Sequence, residues 1–207
     1  MKKYLLMMAL TAMGASAFAQ KVASEWSSFY VQYNPMKLVV DLQGYDDWNF
    51  TGFTVGYNKA INVGGVTPLF IEVGGAINAA FHSESEGDYE VSHTFVSAKV
   101  PASLTYKWQV SDAVAILPYG GVYARFNIIG NAKEDDGYDD ETYNLFDKKD
   151  MGSSDATWKR FQFGYQIGVN VMFNNKWHLG LAYASDFSEI AKKCKFSTPA
   201  ITIGLDF

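Results

Sequence analysis

A single cysteine, Cys194, is the whole thiol content of this 207-residue chain. That excludes an intrachain disulfide framework and any zinc cluster built on cysteines. Arginine is almost as scarce, with Arg125 and Arg160 the only two. Charged residues reach 19%, against about 25% in ordinary soluble domains. The 17 basic residues are outnumbered by 22 acidic ones, so the basic footprint of a nucleic-acid binder is missing. Beyond the first twenty residues no apolar run is long enough to cross a bilayer as a helix.

What is present is apolar and aromatic. Apolar residues make up 48%, which excludes wholesale disorder. Tyrosine (13), phenylalanine (15) and tryptophan (5) together give 16% aromatics. The chain opens with Lys2-Lys3, an apolar run from Tyr4 to Met13, and Ala17-Phe18-Ala19. That is the pattern of a secretory signal peptide with an A-x-A cleavage site. Residues 1–19 are therefore expected to be removed, with Ala17 and Ala19 at the cleavage site and Gln20 as the new N-terminus. Losing two lysines leaves 15 basic against 22 acidic residues, a net charge of −7.

From there to the C-terminus the hydrophobic period is two. Phe161, Phe163, Tyr165, Ile167, Val169, Val171 and Phe173 alternate with Arg160, Gln162, Gly164, Gln166, Gly168, Asn170 and Met172. Side chains alternate across a strand, so this is one long strand with an apolar face and a polar or small face. Seven other segments read the same way, from Phe29-x-Val31-x-Tyr33 to Ile201-x-Ile203-x-Leu205-x-Phe207. Leu117 falls on the polar side of the fifth and leaves its parity the least certain. The connections alternate short (61–67, 109–113, 174–176) and long (34–49, 83–92, 130–157, 187–197). Eight antiparallel strands with short turns at one end and long loops at the other describe an outer-membrane barrel.

A soluble barrel is the competing architecture. It would turn its apolar face inward and cover its outside with charge. Here the polar face is crowded with Gly, Ala, Ser and Thr, which suits the narrow interior of eight strands. The apolar face carries Phe, Tyr, Trp, Ile and Val, as a lipid-facing band does. The expected fold is all-β: an eight-stranded antiparallel up-and-down transmembrane barrel spanning 20–207, surrounded by outer-membrane lipid, with both termini periplasmic.

Three groups of residues are candidates for function. Parity turns Glu72, Lys99, Lys107, Arg125, Arg160, Gln166 and Asp206 into the lumen; a polar plug of Glu72, Lys99, Arg125, Arg160 and Gln166 is expected, with its charges paired. The loop 130–157 carries nine acidic residues against Lys133, Lys148 and Lys149. It is the expected site of any extracellular ligand, its carboxylates are dense enough for calcium to be an open question, and its removal is expected to leave the barrel folded. His82 and His93 lie near Glu84, Glu86, Asp88 and Glu90, but no spacing among the three histidines specifies catalysis or a metal. Lysines 192, 193 and 195 flank Cys194 and could lower its pKa, with a lone incidental thiol as the default reading.

The final residues, Thr198-Pro199-Ala200-Ile201-Thr202-Ile203-Gly204-Leu205-Asp206-Phe207, resemble the C-terminal signal read by the outer-membrane barrel assembly machinery. Lys99-Val100-Pro101-Ala102-Ser103-Leu104-Thr105-Tyr106-Lys107 and Leu117-Pro118-Tyr119-Gly120-Gly121-Val122 are similar to strands of the small outer-membrane β-barrel domain family, the OmpA/OmpX-like or "porin family" proteins. The resemblance spans the mature chain. It implies an eight-stranded barrel in the outer membrane of a Gram-negative bacterium, with Ile201, Ile203, Leu205 and Phe207 as the assembly signal. It implies no cofactor and no defined activity. A non-enzymatic structural or surface-interaction role is therefore expected, with a small low-conductance pore and a lipid-modifying enzyme as the alternatives.

Overall fold

The structure, a computed structural model, describes residues 24–207 apart from 42, 43, 45, 66, 88 and 153–156. The signal segment, with Ala17, Ala19 and Gln20, lies outside the described residues. The chain forms β1 (Trp26–Tyr33), β2 (Met36–Val40), β3 (Trp48–Asn62), β4 (Leu69–Glu86), β5 (Tyr89–Tyr106), β6 (Trp108–Gln109), β7 (Val114–Asp135), β8 (Asp140–Asn144), β9 (Phe161–Phe173), β10 (Trp177–Asp186) and β11 (Cys194–Asp206). All pairings are antiparallel, and β1 pairs with both β3 and β11, the latter from Ser28↔Asp206 to Tyr33↔Ile201. The first and last strands thus close the sheet on itself, leaving no free edge across the membrane.

Eleven strands make eight staves. β1 and β2 keep one register against both β3 and β11, and are split at Asn34-Pro35 because proline brings no N–H to the ladder. β6 continues β5 past Lys107 in the same register against β7. β8 is extra, pairing only with the outer end of β7. The turn after β9 is tight. Asn174 and Asn175 both take positive φ (50° and 52°), and the Lys176 amide donates to the Phe173 carbonyl at 2.9 Å. That is a type I′ geometry, which asparagine tolerates.

The outward face is the apolar one. Phe29, Val55, Ile77, Leu104, Phe126, Ile167, Leu181 and Ile203 are all exposed on the outside of the wall. About 9–11 residues of strand cross a bilayer, yet β4 and β5 have 18 residues each and β7 has 22. These strands continue beyond the lipid band. The segment 83–92, expected as a long loop, is strand on both sides, and the ladder runs up to Glu86↔Tyr89. The same correction applies to 36–40, to the stretch ending at Asp135 and to 140–144. Above the band no lipid demands an apolar outer face, so the alternation that marks a strand in the sequence disappears.

Two apolar clusters fill the ends of the barrel. Toward the short turns, Trp26, Ala60, Phe70, Ala115, Leu117 and Met172 pack together, with the Trp26 and Phe70 rings 4.5 Å apart. Leu117 is inward, on the polar side of its strand, because it belongs to this inner plug. Toward the long loops, Met36, Leu38, Phe50, Ala80, Phe95, Ala132, Leu145, Ile190, Cys194 and Phe196 form the outer plug. A bulge at Ile128 enables it: the register against β5 shifts there, so Ile128 and Ile129 both face out, and inward positions change from odd (Arg125, Asn127) to even (Gly130, Ala132).

Candidate functional site

Between the plugs the wall is polar, and neighbouring strands hold it together. Ser28 Oγ donates to Asp206 Oδ1 at 2.5 Å, and His178 Nδ1 donates to the same carboxylate at 2.9 Å. Thr54 Oγ1 donates to Asn34 Oδ1 and Asn78 Nδ2 to Thr54 Oγ1, both at 3.0 Å. Gln166 Nε2 donates to Ser103 Oγ at 2.9 Å. Arg125 Nη2 meets Asp186 Oδ2 at 2.5 Å, and the Tyr123 hydroxyl donates to Asp186 Oδ1 at 2.7 Å. Lumen glycines make room for the rings. A Cβ on Gly168 would stand 2.6 Å from the Tyr119 ring, and one on Gly204 would collide with the His178 ring.

The expected plug residues are distributed unevenly. Glu72, Lys99, Arg125 and Gln166 all line one cavity of about 80 Å³. Arg160 does not. It precedes β9, its Nη1 donates to the backbone carbonyls of Asn127 and Ile128 at 3.2 and 2.8 Å, and its guanidinium lies 4.5 Å from the Phe146 ring centroid. Parity fails for Arg160 because the strand begins only at Phe161, so alternation no longer fixes its direction. Asp186, the partner of Arg125, was absent from the expected set. The signal was available, since His178, Gly180, Ala182 and Ala184 are inward and the same count reaches Asp186. Full local pairing is also not found: Glu72 and Lys99 are in no salt bridge among the described residues.

Above the band, Trp48, Phe50, His82 and His93 gather at the mouth. Trp48 lies 5.9 Å from His82 and 4.7 Å from His93, ring to ring. His82 Nδ1 donates to the Asn49 carbonyl at 2.7 Å. Burial, then the neighbouring His82, pushes the His93 pKa down to about 4. Ser83 lies on the opposite face of β4 from His82, and its hydroxyl donates to Glu90 at 2.7 Å. No nucleophile–base pair arises from these residues. Among the described residues no three His, Cys, Asp or Glu side chains are grouped to hold a metal.

The described part of the acidic segment is built. Its carboxylates cap amides: Asp136 accepts from Tyr138 N and Asp139 N, Asp147 from Lys149 N, and Asp150 from Asn144 N. Those amide bonds hold the Asp136 carboxyl below its usual range. Lys133 reaches Asp140 at 3.0 Å, a contact that raises its pKa. The premise that 130–157 makes few buried contacts does not hold, because Leu145 is a core member of the outer plug and Phe146 and Met151, with the neighbouring Trp158, pack against it. Cys194 is also in that plug. Burial, then Glu189, raises its thiol pKa, which fits an incidental core thiol rather than one activated by its lysine neighbours.

A family model described as outer membrane protein beta-barrel domain matches residues 5–207. The chain belongs to this family. It is an outer-membrane protein of the Gram-negative envelope, and its strands are the membrane-crossing elements. No curated protein matches the sequence. Among solved structures it is similar to Ail, the attachment invasion locus protein of Yersinia pestis, at 17% identity and a TM-score of 0.51, covering 89% of this chain and 100% of Ail. It is similar also to Neisserial surface protein A, at 14% identity and a TM-score of 0.51, covering 91% and 100%. The outer membrane enzyme PagL aligns more loosely, at 10% identity and a TM-score of 0.43, covering 86% and 97%. At such identities the likeness concerns the fold alone.

Proposed function

We propose that this protein works without enzymatic activity or solute passage, as a structural element of the outer membrane that presents a projecting collar to the outside. One observation carries the reading: apolar side chains fill the lumen at both ends, with charged groups enclosed between them. An ion crossing this barrel would have to shed its water against Phe70 and Leu117 at one end and Phe50, Phe95 and Phe196 at the other. The histidines at the mouth offer no support for the lipid-modifying alternative, because Ser83 and His82 face apart. Outside the band, the ends of β4, β5, β7 and β8 form a sheet rimmed by Glu84, Glu90, Glu134, Asp135, Asp140 and Glu141, which favours a cationic partner. Ile201, Ile203, Leu205 and Phe207 face lipid at the seam of the barrel, where they are open to the barrel assembly machinery.

The test has two arms. In planar bilayers the purified protein should give no steady conductance, and discrete reproducible openings would promote the pore. Cells displaying the protein should adhere to immobilised basic extracellular-matrix proteins more than cells displaying the triple variant Asp139→Asn, Asp140→Asn, Glu141→Gln. Equal adhesion at equal surface levels would remove the collar from the function.

A further inference from the structure

Charges in the outer half of the lumen do not cancel. Lys99 on β5 is the register partner of Arg125 on β7, and both line the cavity. The carboxylate bonded there is Asp186, and it is fully engaged: Oδ1 accepts from the Tyr123 hydroxyl, and Oδ2 from Arg125 Nη2 and the Phe196 amide. Arg125 is only 6% exposed, and its Nε has no hydrogen-bond partner. Lys99 Nζ stands over the Tyr123 ring, 4.2 Å from its centroid. Its three N–H donors find no carboxylate within 4.0 Å among the described residues. The wall of the barrel surrounds the Lys99 side chain, whose remaining accessible surface faces the cavity.

Glu72 is too far along the barrel to neutralise this cluster. Its register partner is Ser103, four positions from Lys99 on the same strand, about 13 Å at strand rise. With Lys99 protonated, two cations and one saturated carboxylate leave a surplus positive charge in a water-poor interior, which is costly without a counter-ion. The cavity beside them, about 80 Å³, has room for a few waters. Met36 of the outer plug borders it at one end, and Leu117 and Met172 of the inner plug at the other.

We propose that the outer half of the lumen is a binding site for one small monovalent inorganic anion, of the size of chloride, held between Lys99 Nζ and Arg125 Nε. The charge of one matches the surplus of one. The volume admits a halide with part of its hydration and rejects large organic anions. The site lies between the two plugs, and the anion serves there as a structural counter-ion.

The test uses the full-length mature chain refolded into detergent micelles in sodium chloride, sodium bromide or sodium gluconate at equal ionic strength. Chloride and bromide should raise Tm saturably, by about 3 °C at ten times the half-saturating concentration, and gluconate should not. In Lys99→Met the halide-dependent increment should vanish. Crystals grown in bromide should show an anomalous scattering peak between Lys99 and Arg125, a readout that does not depend on the variant folding. Equal Tm in chloride and gluconate, an undiminished halide effect in Lys99→Met, or no bromide peak in the lumen would each overturn the proposal.

Discussion

Phe95→Ala should be among the most destabilising single truncations in this protein. Phe95 is 2% exposed and sits at the centre of the outer plug. Its ring stands edge-on to Phe50 at 5.5 Å and to Phe196 at 5.8 Å, and stacks on Trp158 at 5.4 Å. Burying a phenylalanine is worth about 1.5–3 kcal/mol. Deleting it from a core costs more, about 3–5 kcal/mol, because the neighbours close the void only partly. Three aromatic partners held by two different staves and a loop cannot all move inward, so about 4 kcal/mol is expected. Val100→Ala is the control on the same strand. Val100 is 61% exposed on the lipid face, leaves no cavity, and should cost about 1 kcal/mol for two carbons removed. Reversible urea unfolding from lipid vesicles would measure both, with Trp158 fluorescence as a local reporter. A loss below about 1 kcal/mol for Phe95→Ala would refute a packed outer plug. Conductance should stay at background even in this variant, because the inner plug is untouched.

On β9, Val169→Arg places a charge in lipid and should cost about 2–4 kcal/mol near the midplane. Asn170→Ser faces the lumen and should cost about 1 kcal/mol or less; equal effects in the same unfolding assay would reverse the assigned faces. Phe207→Asp should abolish outer-membrane assembly, although a charge near the interface costs only about 0–1 kcal/mol. Fractionation of cells expressing it would settle the matter, normal outer-membrane levels counting against an assembly signal. His93 binds its proton less readily in the folded state, where its pKa is about 4, than in the unfolded chain, at its ordinary 6.5. Stability should therefore rise from pH 4 to pH 6.5 and be lost as pH falls through that window, by at most about 3 kcal/mol. His93→Gln should flatten this part of the stability–pH curve, and an unchanged slope would assign it to other groups.

The membrane imposes the part of the fold that the sequence shows most plainly. Across the band each strand must alternate lipid-facing and lumen-facing residues, so Phe161 to Phe173 can be assigned residue by residue. Outside the band the constraint lapses, and β2, β8 and the ends of β4, β5 and β7 look like loops. Inside the lumen, parity tells which way a side chain points but not at what height, because register needs the hydrogen-bonded ladder. This is why Glu72, Lys99, Arg125 and Gln166 could be turned inward from alternation, while the Arg125–Asp186 pair could not be named. Arg160 shows the same limit from the other side: one position before the strand begins, parity has no meaning. The outer plug was the least legible feature. Leu145 and Trp158 sit in a segment without periodicity, Trp158 next to Lys159 and Arg160, and only the β7 bulge and the β8 hairpin bring them over the lumen.

The plug also constrains how the collar can carry function. Segment 130–157 is both the lid of the outer plug and the bearer of the most concentrated surface charge, so its two jobs fall on different residues. Leu145, Phe146 and Met151 face inward and are tied to packing, and changes there register as lost stability. The turn from Asp136 to Glu141 is held by its own amide-capping bonds and a lysine contact, outside any apolar cluster. Changes in that turn leave the lid in place and alter only the charge shown to the outside. A barrel packed with apolar side chains at both ends thus confines surface variation to a few strand tips. That separation is what allows partner binding and barrel stability to be tested independently.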